Sequence, residues 1–442
     1  MTPRRLPHVL LLLALWLPLV WTRFHGSADG LPVQARVQAT LAGRMARLVD
    51  LGGAELPAPF RARLDQEALA LVDGGLEHRP HDPFLLLRRS LLAARSEGRG
   101  PALRFLEALE PAGRSPVTRA LEAAWRGTPE ARPPLPDPDL SGYYRVLALR
   151  ELGLEREAGA RLEAERERVG TDRLLLQGLA AFTALNLGLG LLAWLAWPWL
   201  GRVLAGTGPD PSARWNPFGA AGFLVAYQWL GPLAGPALGT LLRTLGASPL
   251  ATLVAAQVFL YGLALGALRR LLPRLAPPPA PLRARLGLQA PGPRQIAAGV
   301  VGFWMALPAV LAASWCTSRL LDRSPFSSNP ALELLLKASP AELAALVLLV
   351  AAVGPFFEEV LFRGVLFSAL RRAAGPWGAG AASALVFALA HGDLQALLVL
   401  ATLGALFALL YERTGSLWPS VLAHGLWNGA TVAAVLLVLA GS

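Results

Sequence analysis

The last 85 residues of this 442-residue chain place ionisable side chains inside apolar sequence. Glu358 and Glu359 stand in Gly354-Pro-Phe-Phe-Glu-Glu-Val-Leu-Phe-Arg-Gly364, His391 in Phe387-Ala-Leu-Ala-His-Gly392, and His424 in Val421-Leu-Ala-His-Gly-Leu-Trp-Asn-Gly429. Ionisable groups are costly within a bilayer and mark functional sites there. Residues four apart on a helix share a face, so Glu359 can pair with Arg363 and be neutralised. Glu358 points about 100° away round the helix and keeps no cation of its own. By the same spacing His424 and Asn428 project together. A carboxylate without a cation, an imidazole and an amide donor suit water-driven amide hydrolysis. The carboxylate takes a proton from water, and the donors hold the developing oxyanion. Two histidines and Glu358 can instead hold a divalent metal such as zinc through Glu358, His391 and His424, with one position open for water.

Each residue also has a plainer use. Glu359 and Arg363 can be a structural ion pair, His391 a helix cap before Gly392-Asp393, and Asn428 a hydrogen-bond partner for a neighbouring helix. Ser383 and Ser420 lack a suitable base and read as helix-packing residues. Cys316, alone in the chain, excludes an intramolecular disulfide and a cysteine-based zinc cluster and reads as a small buried hydrophobe.

The elements that carry these residues are membrane spans. The chain is 54% hydrophobic and 16% charged, with a mean hydropathy of +0.45, against about 25% charged for a soluble protein. Residues 23–173 contain 23 Arg and 22 acids, whereas residues 174–442 contain 15 Arg, one Lys and 8 acids. Basic residues that punctuate apolar runs read as loops between spans, which argues against a nucleic-acid partner. Hydropathy predicts spans near 174–198, 217–242, 248–268, 295–316, 341–370, 376–391, 394–411 and 417–440. Arg269, Arg270, Arg274, Arg283, Arg285 and Arg294 have no acid among them. The positive-inside bias places them in the cytoplasm, against membrane lipid. Gly354-Pro355 and Gly375-Pro376 offer breaks, and a cavity opening to the cytoplasm is expected to admit water to Glu358.

The predicted class is all-α: a polytopic membrane helical bundle with an N-terminal extramembrane helical domain. Residues 1–22 read as a signal anchor or signal peptide, and 23–173 as the extramembrane domain, outside a bacterial cytoplasmic membrane. Residues 174–274 are accessory transmembrane helices, 275–294 a proline-rich basic linker and 295–442 the domain that carries the chemistry. Within 23–173, Tyr144, Ala148, Leu152, Gly153 and Ala158 resemble a tetratricopeptide hairpin, without a strict repeat. Such a domain can bind an envelope protein partner.

Glu-Glu-x-x-x-Arg at 358–363, Phe-x-x-x-His at 387–391 and His-x-x-x-Asn at 424–428 occur in the order found in the membrane-embedded CPBP family. That family includes CAAX prenyl endopeptidases and bacteriocin-processing relatives. The resemblance covers roughly residues 295–442. It implies an intramembrane endopeptidase acting on membrane-associated peptides or proteins. In it Glu358 and His391 activate water, and His424 and Asn428 form the oxyanion site. Two other classes share these residues: a non-catalytic relative that binds a partner or confers immunity, and a transporter using the carboxylates as a proton relay. A transporter is expected to show two symmetry-related broken helices, and Gly354-Pro355 has no counterpart in the first half.

Overall fold

Proline or a side-chain cap opens many of the helices, and apolar side chains fill the faces between them. The computed structural model describes residues 33–51, 58–78, 80–111, 114–128, 142–206, 216–275, 282–321, 338–393 and 396–439, with Leu140. The expected signal segment 1–22, the stretch 129–139 and the loop 322–337 lie outside the described residues. So does the first part of the proline-rich linker, 276–281. No strand occurs among the described residues. The chain divides into two compact units, residues 30–182 with 433–442, and residues 183–432 with 1–29.

The first unit contains α1 (Val33–Leu51), α2 (Ala58–His78), α3 (Pro83–Ser96), α4 (Arg99–Glu107), α5 (Pro116–Trp125) and α6 (Tyr143–Glu151). It also holds the beginning of the 49-residue α7 (Glu155–Val203). Asp82 accepts from the Phe84 and Leu85 amides to cap α3, and Ser115 accepts from Thr118 to cap α5, satisfying donors that a helix start leaves free. The core is built from Ala39, Ala42, Val72, Leu85, Leu91, Leu121 and Leu147 among others. Tyr144 lies against Gly43, where an added Cβ would stand 2.7 Å from the ring, and its hydroxyl donates to Ala39 O at 2.8 Å. α1 is tied to α7 by buried charges. Arg44 and Arg47 both bond Asp172, and Arg47 also reaches Glu165. Before Leu174 no large hydrophobic side chain is strongly exposed among the described residues.

The second unit holds the rest of α7, then α8 (Pro217–Thr244), α9 (Pro249–Leu275), the short α10 (Leu282–Arg285) and α11 (Pro293–Leu321). A continuous helical run follows. It comprises α12 (Pro340–Leu348), a π-helical turn Leu349–Val353, α13 (Gly354–Glu359), a second π-helical stretch Val360–Phe367, and α14 (Ser368–Ala390). α15 (Leu397–Thr414) and α16 (Trp418–Leu439) complete it. Among the described residues six helical runs are long and apolar enough to cross a membrane, and the chain is a multi-pass integral membrane protein. Side chains such as Leu195 and Leu320, 79% and 78% exposed, face outward, where lipid makes exposure cheap.

The eight spans expected from hydropathy differ from these six in two ways. The stretches 341–370 and 376–391 are one run, Pro340–Ala390. α8 is 28 residues long, but its glycines, prolines and Gln228 keep it out of the six. The Gly375 break is present: φ is 67°, and the run kinks there. At Gly354-Pro355 the helix does not break; it changes hydrogen-bond register instead.

Candidate active site

The register change has a covalent cause. In the first π turn the Gly354 N–H bonds Leu349 O, five residues back. The next such bond would run from residue 355 to Val350 O, but Pro355 has no N–H. Asn428 of α16 supplies the missing donor: its Nδ2 bonds Val350 O at 3.0 Å. Gly425, one turn earlier, lets α16 close in, since a Cβ there would overlap Ala351 O. In the second π stretch, Ser383 Oγ donates to Phe362 O at 2.8 Å and Ser368 Oγ to Arg363 O at 3.1 Å. Carbonyls of both π segments thus accept from side chains of other turns, partners of the kind that buried backbone acceptors require. π turns of this kind often accompany functional sites.

α13 carries Glu358 and Glu359 between the two π segments. Glu359 and Arg363 are fully buried, and Arg363 Nη1 donates to Glu359 Oε1 at 3.0 Å. Arg363 Nη2 donates to Gly404 O at 2.9 Å, and its guanidinium lies 4.6 Å from the Phe387 ring centre. A Cβ on Gly404 would stand 3.2 Å from that Nη2, so glycine there lets the cation reach the backbone. The predicted Glu359–Arg363 pair is present.

Glu359 Oε1 also bonds His424 Nδ1, at 3.0 Å. A carboxylate that already takes a guanidinium proton can only accept, so Nδ1 is the donor. His391 ends α14, and its Nδ1 lies 2.8 Å from Phe387 O. A carbonyl only accepts, so this Nδ1 is also a donor. Both imidazoles therefore turn Nε2 toward Glu358 Oε2, at 3.8 Å from His424 and 3.9 Å from His391. Glu358 Oε2 has no hydrogen-bond partner. Phe407 stacks on His424 at 4.8 Å, and Phe387 meets both imidazoles edge-on, at 4.6 and 5.8 Å. The rings hold both histidines in apolar surroundings, while Glu358 and His391 keep 24% and 34% side-chain exposure.

The tertiary structure thus brings Glu358, Glu359, Arg363, His391 and His424 together. Asn428 lies one turn beyond His424, with its amide bonded to Val350. Ser383 and Ser420 both donate to backbone carbonyls, Phe362 O and Phe407 O. Among the described residues no group of three His, Cys, Asp or Glu side chains is close enough to hold a metal. The 3.8 and 3.9 Å separations exceed the roughly 3.4 Å between ligands on a tetrahedral zinc with bonds of about 2.1 Å. As arranged, the trio does not fit the ion.

Sequence reasoning passed over Tyr261 of α9. It stacks on Phe357 at 4.1 Å, with Tyr227 of α8 on the same ring at 5.0 Å. An aromatic in a span reads as packing, and nothing in the sequence ties Tyr261 to Glu358.

Residues 340–430 match the type II CAAX prenyl endopeptidase Rce1-like family. Over 83 residues, 19% of this chain and 34% of the relative, the chain is 36% identical to the putative membrane peptidase YdiL of Bacillus subtilis. Over 92 residues it is 35% identical to the membrane-embedded CAAX protease MroQ of Staphylococcus aureus, 20% of this chain and 37% of that protein. The chain spans about a third of the length of these relatives. No solved structure matches. The CPBP resemblance read from the three motifs is supported over residues 340–430, which contain all six candidate residues.

Proposed function

We infer that the chain is an intramembrane endopeptidase that hydrolyses peptide bonds of membrane-associated peptides or proteins. The observation that carries this reading is the convergence of His391 Nε2 and His424 Nε2 on the unpartnered Glu358 Oε2. Family membership of residues 340–430 and the membrane-peptidase relatives support it.

In this mechanism a water occupies the space among the three atoms. Glu358 Oε2 takes its proton as the new C–O bond forms, and the carbonyl π pair moves onto oxygen. His391 accepts the water's other hydrogen and fixes its orientation. Glu358 then returns the proton to the amide nitrogen as the C–N bond breaks. Oxyanion stabilisation falls to His424 and Asn428. His424 can donate from Nε2 only as an imidazolium, because Nδ1–H is already committed to Glu359. The Glu359 carboxylate stabilises that cation. Asn428 Nδ2 has two hydrogens; one meets Val350 O and the other is free for the oxyanion. If a divalent ion does bind, Glu358, His391 and His424 would hold it and would have to move closer together. No step above uses one.

Residues 23–173 are proposed as an accessory domain. Their polar exterior suits an envelope partner met through charged side chains. The test of the main reading is cleavage of lipidated and transmembrane peptides by the detergent-purified chain, read by mass spectrometry beside Glu358→Gln. Cleavage by wild type, reduced about 10²-fold or more in the variant, is the expected result. Equal cleavage by both would remove Glu358 from the chemistry, and cleavage by neither would favour a non-catalytic binding role.

A further inference from the structure

The two adjacent carboxylates differ in how they are held. Glu359 is fixed by Arg363 and His424. Among the described residues Glu358 pairs with no arginine or lysine, yet a general base must be held as firmly as the group it serves. Its two oxygens face different surroundings. Oε2 faces the histidines. Oε1 faces Gly354, at 3.9 Å from the point where a Cβ would stand, and the Tyr261 hydroxyl is 3.6 Å from that same point. Glycine at 354 keeps the space between phenol and carboxylate open.

Tyr261 is well placed to orient a carboxylate. Its ring is fixed by the stack on Phe357, the residue next to Glu358, and the residue is only 8% exposed. Glu358 is among the charges that act on its hydroxyl. A phenolic hydroxyl has one hydrogen to give to an acceptor. Glu358 Oε1 is the acceptor on that side. Tyr261 lies on α9, outside the family-matched residues 340–430.

The geometry points to Tyr261 as the positioning residue for Glu358: its hydroxyl holds Oε1 through one water in the space that Gly354 leaves open, and so keeps Oε2 turned to the two histidines. This rests on the endopeptidase reading for its purpose, but the pair itself can be tested without any substrate. The full chain in detergent is treated with dicyclohexylcarbodiimide, which reacts with carboxylic acids in apolar surroundings, and labelling of Glu358 is followed by mass spectrometry. Tyr261→Phe keeps the ring and removes the hydroxyl. It should release the carboxylate and raise the labelling rate at least threefold, whereas Tyr227→Phe should match wild type. Equal rates in wild type and Tyr261→Phe would overturn the proposal, whether or not the protein cleaves peptides. Where cleavage is observed, Tyr261→Phe should lower kcat about tenfold with KM within twofold of wild type. A purely structural tyrosine predicts no such split. A labelling change without any cleavage by wild type would retire the endopeptidase reading and leave the Tyr261–Glu358 pair standing.

Discussion

His424 Nδ1 and Glu359 Oε1 are 3.0 Å apart, and this bond between two spans fixes which imidazole nitrogen faces Glu358. Glu359 is therefore not merely the neutralised half of an acidic pair. It orients His424, much as a carboxylate bonded to the far nitrogen of a metal-bound histidine orients that ring, and Arg363 in turn orients Glu359. The chain Gly404 O, Arg363, Glu359, His424 links α15 to α13 and α16 through hydrogen bonds of 2.9 to 3.0 Å.

Glu359→Gln should lower peptide cleavage about 10²-fold, because a neutral amide replaces the anion that bonds both Arg363 and His424. Glu359→Asp keeps the charge and should retain more activity. Steady-state kinetics on a cleaved peptide compare the two; equal loss in both would point to packing rather than charge.

Arg363→Met leaves the Glu359 anion buried and removes the donor to Gly404 O. Breaking a buried pair from one side costs about 3–5 kcal/mol, so a large drop in thermal stability in detergent is expected. Adding Glu359→Gln to it should recover part of the loss, since the uncompensated charge is then gone.

Asn428→Ala should orphan Val350 O at a cost of about 1–3 kcal/mol. Pro355→Ala restores a backbone N–H two residues after Val353 and within the π register of Val350 O. The double variant should thus be more stable than the two single losses added together. If Asn428 also donates to the oxyanion, the double variant regains stability but not cleavage, which separates its two roles by unfolding and kinetics on the same sample.

The separation of donors around Glu358 predicts that cleavage survives extensive chelation and dialysis. Loss of activity that zinc alone restores would show that Glu358, His391 and His424 draw together around an ion.

In the first unit, burial raises the Tyr143 hydroxyl well above the ordinary tyrosine range, and the Asp50 carboxylate it bonds at 2.6 Å adds to the effect. Burial raises Tyr144 likewise. A folded-state value above the unfolded one means the contribution is whole below about pH 10 and is lost as pH climbs beyond it. Hydrogen exchange of residues 33–151 in the full chain should show loosening above that pH. Tyr143→Phe should lose some stability at neutral pH and show a shallower alkaline loss.

The class of protein and the residues worth watching follow from the order of the amino acids alone. Hydropathy is a local property, so long apolar runs and the few charges inside them are legible without a fold. The Glu359–Arg363 pair is legible for the same reason: both residues sit on one helix, four apart, and spacing alone fixes their contact. The kink at Gly375 was visible as Gly-Pro. What sequence spacing does not carry is contact between spans. Glu359 meets His424 across 65 positions of sequence, and Tyr261 stacks on Phe357, next to Glu358, from a helix outside the motifs. Spacing puts Asn428 beside His424 and leaves it open to a neighbouring helix; which carbonyl it meets, Val350 O, is set by packing. The signal for that bond was Pro355, a missing donor on one helix whose replacement sits on another. Only the packing of α9, α13, α14 and α16 decides these pairings, because a buried polar atom takes whichever partner the neighbouring helix presents.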